Sequence, residues 1–172
     1  KRELINNMIN ERLQELTQKE NPPFVFAYTG IDQFIRGYDA FISYAVLGDG
    51  TTQDALNALL AETERARKFG FLASELDRTR SKLLNDAETA FKEKDKSQSG
   101  AIVQEYIDHF LESSPIPGPE ARYQFLKQVL GTISLKEVNA LAAAMPAGNN
   151  AFALAMAPAG VKSKLPTNEG LE

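Results

Sequence analysis

The only histidine in the chain, His109, stands in the string HFLES over residues 109–113. Four of these five positions fit H-x-x-E-H, a helical pattern in which two imidazoles hold a zinc ion and a glutamate serves as base. Such a site needs both imidazoles one turn apart, plus a third ligand, to leave an open coordination position. Here the fifth position is Ser113, and the 172 residues hold no second imidazole. Glu105 and Asp108 flank His109, so a His–carboxylate surface site is one reading. A solvated polar face beside a Tyr106/Ile107/Phe110 core stripe is the other, and nothing in the pattern recruits a metal in preference to it.

Other chemistries find less. There is no G-x-S-x-G elbow, no Walker loop and no G-x-G-x-x-G. Gly48-Asp49-Gly50 is a turn without the lysine of a phosphate cradle. A Ser-His-Asp triad would have to use His109, and no serine stands out as its nucleophile. Arg65, Arg67 and Lys68 are matched by Glu62 and Glu64, which reads as an exposed face and not an anion site. Phe24, Phe26, Tyr28, Phe34, Tyr38, Phe41 and Tyr44 crowd one region. They read as sheet core, or as one face bordering a peptide-binding cavity or partner domain, where an edge strand can pair with an extended peptide.

The bulk properties narrow the class. The length suits one domain, and 43% apolar residues can build a core. A net charge of −4 with both signs dispersed argues against nucleic acid, which asks for a basic stripe. Without cysteine there is no disulfide and no thiolate zinc site. No run approaches the ~18–20 apolar residues of a membrane span. The chain does not begin with Met and shows no signal peptide, so it reads as a fragment truncated at its N-terminus.

The elements that must position any site follow from periodicity. Leu4, Ile5, Met8, Ile9, Leu13 and Leu16 predict a first helix, ended by Pro22-Pro23. FVFAYTG (24–30) and YDAFISYAVL (38–47) predict an antiparallel strand pair, with IDQFIRG (31–37) as a wide connection. A helix capped by Thr51 or Thr52 runs to Gly70, with positions 55, 56, 59, 60, 63, 66 and 69 as its inner stripe. The next starts at Ser74 and turns Leu76, Leu83, Leu84, Ala87 and Phe91 inward. A further helix packs Ile102, Val103, Tyr106, Ile107, Phe110 and Leu111. After a proline-rich connector, Pro119 opens another helix. Ser134 and Glu137 form a capping box for a short one running to Met145. Residues 151–157 predict a last strand, and 161–172 a linker or tail. The expected fold is α+β: a small, mainly antiparallel sheet of about three strands packed against five or six helices. The sheet is either a platform under the helical layer or is completed by segments outside this chain.

The order and spacing of these strings resemble the C-terminal half of a peptidase family M16 protein, the pitrilysin, insulysin and processing-peptidase family. Arg12, Leu13, Glu15 and Leu16 match the end of that family's helix before the strand pair. Gly70, Phe71, Glu75 and Leu76 match its helix-to-helix step. ISLKEVNALAAAM resembles its late helix, and KLPT the linker beyond. The likeness covers nearly the whole chain, with 1–160 as the domain, a half-domain fragment of the LuxS/processing-peptidase metallohydrolase type.

The resemblance implies that zinc sits in another, catalytic half, in the same or a partner chain. This half would then wall a substrate chamber, bind peptide and hydrolyse nothing alone, holding neither catalytic nor metal-ligating residues. It further implies a zinc metalloendopeptidase as parent, in the periplasm or cell envelope of a bacterium. Active relatives place an Arg and a Tyr seven residues apart near the substrate; those positions here are Thr17 and Phe24, which offer neither cation nor phenol. If the ENPP turn shifts the register, Tyr28 is the candidate. An exposed sheet edge allows a homodimer. The rival readings are a scaffold or assembly subunit of the same fold, and an independent enzyme using His109.

Overall fold

The computed structural model describes residues 1–96, 99–146, 150–158, 160 and 165–167. In chain order its elements are α1 (Arg2–Thr17), β1 (Phe26–Ile35), β2 (Tyr38–Val46), α2 (Thr52–Phe69), α3 (Ala73–Lys92), α4 (Ser99–Glu112), α5 (Gly118–Val129) and α6 (Leu135–Ala143). The chain is α+β, with one two-stranded antiparallel sheet among the described residues. No helix among them is long and apolar enough to cross a membrane.

The apolar stripe of α1 puts Leu4, Ile5, Met8 and Ile9 into the main core. There they meet Leu76, Leu83 and Ala87 of α3, Leu126 of α5, and Val138 and Ala142 of α6. A second, smaller core joins Leu13 and Phe24 to Ala55 and Leu59 of α2. The hairpin rests on both: Ile31 and Phe41 pack on the first core, Ala27 and Ala45 on the second. These odd-numbered residues share one face of the sheet, as alternation along a strand requires. The other face carries Phe26, Tyr28 and Tyr44, with Tyr44 5.5 Å from Tyr28 and 6.0 Å from Phe26, ring centre to ring centre.

The corner between α2 and α3 is where the helical layer meets α1. Gly70 ends α2 with φ of +70°. A Cβ there would lie 2.5 Å from the Asn139 carboxamide carbon, so the position requires glycine on two counts. Asn139 of α6 accepts from the Phe71 N–H at 2.8 Å and donates to its C=O at 3.3 Å. Into this corner Arg12 inserts its guanidinium. It donates to both Glu75 carboxylate oxygens, at 2.6 and 2.8 Å, and to the Gly70 C=O at 3.0 Å. It also lies 4.7 Å from the centre of the Phe71 ring. Arg12 and Glu75 are both buried. Burial pushes the Glu75 carboxyl up, but hydrogen bonds from Arg12 and from the Leu72 N–H outweigh it and hold the group below the usual carboxylate range.

Several expectations are corrected. Ile31–Ile35 extend β1 instead of forming a wide connection, and only Arg36-Gly37 turns, with Gly37 at φ +81°. An irregularity between Gln33 and Ile35 absorbs the misfit. Thr51 caps α2, but Ser74 lies inside α3; Glu75, not a hydroxyl, accepts the free Leu72 N–H. The α2 stripe is half right: Ala55, Leu59, Thr63 and Ala66 are buried, while Leu60 and Phe69 are exposed. The apolar side chains of α4 are all exposed, because periodicity reports that a face needs a neighbour without supplying one. Residues 151–157 are irregular and unpaired, so the sheet has two strands among the described residues instead of three. Of the expected tail, 161–164 and 168–172 fall outside those residues.

Removing one partner of a buried ion pair strands the other. Glu75→Ala is therefore expected to lower the unfolding free energy by about 3–5 kcal/mol in urea titration, and Arg12→Met with Glu75→Leu by clearly less. Because the folded carboxyl is lowered, the wild-type contribution is present above the ordinary carboxylate pKa. It is lost as pH falls through the lowered value; acid titrations of the wild type and the double variant check this.

Candidate functional site

Helix α1 and strand β1 run side by side in opposite directions, and α1 turns a row of carboxamides toward the strand. Asn6, Asn10 and Gln14 stand one turn apart, a rise of about 6 Å, close to the ~6.6–6.8 Å between alternate strand residues. Asn10 accepts from the Thr29 N–H at 2.9 Å and donates to the Thr29 C=O at 2.8 Å. Asn6 does the same for Ile31, at 3.0 and 3.3 Å. A side-chain amide offers the same donor and acceptor as a peptide group. The two asparagines thus occupy the β1 edge as a neighbouring strand would.

Beside this contact runs a groove of about 760 Å³. Asn7, Gln14 and Thr17 line it from the helix, and Phe26, Tyr28 and Asp32 from the strand. Tyr28 and Asp32 lie on one sheet face with Gly30 between them. The phenol reaches across Gly30 and donates to the Asp32 carboxylate at 2.6 Å. A Cβ at position 30 would sit 2.5 Å from the phenol oxygen and 2.9 Å from Asn6 Nδ2, so only glycine leaves this path open. Desolvation, the hydrogen bond to Asp32 and the nearby negative charge together push the Tyr28 pKa up to about 12. The phenol is neutral and its proton is committed to Asp32. Its oxygen lone pairs remain available as acceptors, whereas an oxyanion would need the proton itself.

The three expected substrate-contact residues separate. Thr17 lines the groove, with its hydroxyl donating to the Gln14 C=O at 2.7 Å. Phe24 is buried in the second core, away from the groove. Tyr28 lines the groove and carries its only phenol. The crowded aromatics divide likewise: Phe24 is core, Phe41 packs against the main core, and Phe26, Phe34, Tyr38 and Tyr44 are exposed. Asn6 and Asn10 are not among the residues that the sequence singles out. The signal was their spacing of four opposite a strand. At HFLES, α4 stops at Glu112, and Ser113 is in the left-handed region at φ 58°. The fifth position of the pattern is therefore off the helix. His109 Nδ1 lies 2.7 Å from the Ser114 C=O. Among the described residues, no three His, Cys, Asp or Glu side chains are grouped to hold a metal.

The α+β arrangement of a hairpin laid on a helical layer is shared with solved proteases. The fold superimposes on the crystal structure of the first half of the periplasmic protease PqqL from Escherichia coli with a TM-score of 0.71 and 24% identity, covering 81% of this chain and 30% of that one. A predicted insulinase family protease from Yersinia pestis gives 0.62 at 16% identity, with the same coverage. In sequence, the chain is 26% identical over 131 residues to a zinc protease PQQL-like protein of Arabidopsis thaliana, covering 76% of this chain. It is 26% identical over 136 residues to the probable zinc protease PqqL of Escherichia coli strain K12, covering 78% of this chain. It spans only 11% and 15% of those two relatives. No family model matches it. The chain is thus similar to a segment of zinc proteases of the M16, or insulinase, type.

NMR of ring-labelled tyrosine should show Tyr28 titrating near pH 12. Asp32→Asn removes the acceptor charge, and Gly30→Ala blocks the phenol's path; each is expected to bring that midpoint back toward the ordinary value near 10. The unfolded chain releases this proton first, so stability falls as pH rises between 10 and about 12. A Tyr28 midpoint unchanged by Asp32→Asn contradicts the assignment.

Proposed function

We propose that this chain is a non-catalytic half-domain of an M16-like zinc metalloendopeptidase. It forms one wall of the substrate chamber and holds peptide against the α1/β1 groove, while the zinc is bound in the catalytic half of the parent. The observation that carries this reading is the groove itself. It is an elongated cleft beside a strand, with amides, a hydroxyl and a neutral phenol as neighbours. These groups match the donors and acceptors of an extended backbone, and Arg2, Glu3 and Asp32 line the groove beside them. Similarity to zinc proteases along three quarters of the chain supports the same reading. In the complete protein, 151–157 would join the sheet as its third strand: Phe152, Leu154 and Met156 alternate with alanines and are exposed here. The parent would work in the periplasm, as the similar PqqL does.

A scaffold subunit of the same fold is the second reading, favoured by the exposed apolar face of α4, which suits a permanent protein neighbour. Zinc content and casein cleavage, measured on this chain and on its parent, separate the readings. The proposal expects zinc and cleavage in the parent only, together with binding of an unstructured casein peptide by this chain. Tyr28→Phe should weaken that binding by about three- to tenfold, the worth of one hydrogen bond. Stoichiometric zinc or turnover in this chain alone, or a parent with neither, overturns it.

A further inference from the structure

The carboxamide row of α1 has three members, but only two are engaged. Thr29 and Ile31 direct both their N–H and C=O groups at α1. Ala27 lies two residues earlier in the same strand, in unbroken register opposite Ala45. Strand alternation therefore turns its N–H and C=O to the same side, away from β2. Gln14 stands one turn beyond Asn10, where the third rung belongs. Its carboxamide makes no hydrogen bond among the described residues, and it lines the groove together with Ala27. The row is closed at two rungs and open at one.

We propose that Asn6 and Asn10 act as a selectivity device: they seal the β1 edge at Thr29 and Ile31, so that the groove accepts one peptide group, at the Gln14–Ala27 rung, and refuses continuous strand addition. The inference rests on the groove being a peptide site and adds which part of it is available. Two physical points support it. A guest strand would need the partners that Asn6 and Asn10 already hold. Those contacts are intramolecular, so displacing them would forfeit two bonded rungs for each guest segment gained. At Ala27 nothing is displaced, and the Gln14 amide can bond the far side of the same guest group. The guest would continue past the Tyr28 phenol, whose oxygen still accepts.

The test uses the full chain and a fluorescein-labelled unstructured casein peptide, read by anisotropy. Versions of the peptide are each N-methylated at one backbone amide. The expected result is one sensitive position, losing about tenfold in affinity, with amides two residues away changed by less than about twofold. Amide hydrogen exchange should find Thr29 and Ile31 protected in the free protein, and Ala27 gaining protection only when peptide is added. Gln14→Ala should weaken binding without altering exchange at Thr29 or Ile31. Asn6→Ala with Asn10→Ala should recruit further sensitive amides at two-residue spacing. Several alternating sensitive amides in the wild type would overturn the inference while leaving peptide binding intact. So would bound peptide with none, or Ala27 protected before peptide is added. No binding at all would overturn this inference and the proposed function together.

Discussion

Arg12 reaches from the middle of α1 into the corner where α2 gives way to α3. There it is bonded on both oxygens of Glu75, held to the Gly70 carbonyl and stacked near Phe71. A guanidinium out of water needs its donors met; here Nε and Nη2 are bonded, while Nη1 is buried without a hydrogen-bond partner among the described residues. The cost of an imperfect fit makes the corner exacting. Gly70 must be glycine, Asn139 must brace Phe71, and α1 must lie at one height relative to the helical layer. That height matters at the other side of α1, where the carboxamides meet β1. A shift of one residue along the helix would turn Asn6 and Asn10 by about 100° away from Thr29 and Ile31.

The first helix therefore works on two faces. Its apolar stripe and Arg12 fasten it to α3 and α6, and its polar stripe binds the hairpin edge. This division explains why a hairpin, marginal by itself in water, stands as an ordered ledge. It is fixed below by Ile31 and Phe41 and at the side by the asparagines. The groove inherits that rigidity, because Tyr28 is set by Gly30 and Asp32 within the same strand. By contrast, α4 turns Tyr106 and Phe110 to solvent, and the segment after α6 exposes Phe152 and Met156. The well-packed part of the molecule is the part that builds the groove.

Much of this architecture was legible in the sequence. The helices showed in apolar spacing, α2 and α6 in their caps at Thr51 and Ser134, and the hairpin in its aromatic and β-branched runs. Two strings matched to the M16 pattern, at Arg12 and at Gly70-Phe71-Glu75, turn out to be the two sides of one contact. Their partnership was hidden because they lie 63 residues apart, and neither string names its partner. The asparagine row was hidden for a different reason. An Asn on a helix surface reads as solvated unless the neighbouring strand is already known to present its free edge. The length of β1 was missed because Asp32 and Gln33 look like loop residues, yet pairing with β2 carries the strand through them. The exposed face of α4 marks the limit of periodicity as a guide, since it encodes the need for a covering surface and not the surface itself.

If the ion pair sets the height of α1, weakening it must be felt first at the hairpin edge. Glu75→Gln preserves shape and removes the charge, and amide hydrogen exchange reads the consequence at Thr29 and Ile31. The account predicts that these two amides lose protection well before Leu126 in the α5 part of the core does. Thr29 and Ile31 exchanging no faster than in the wild type, or faster only in step with Leu126, would contradict it.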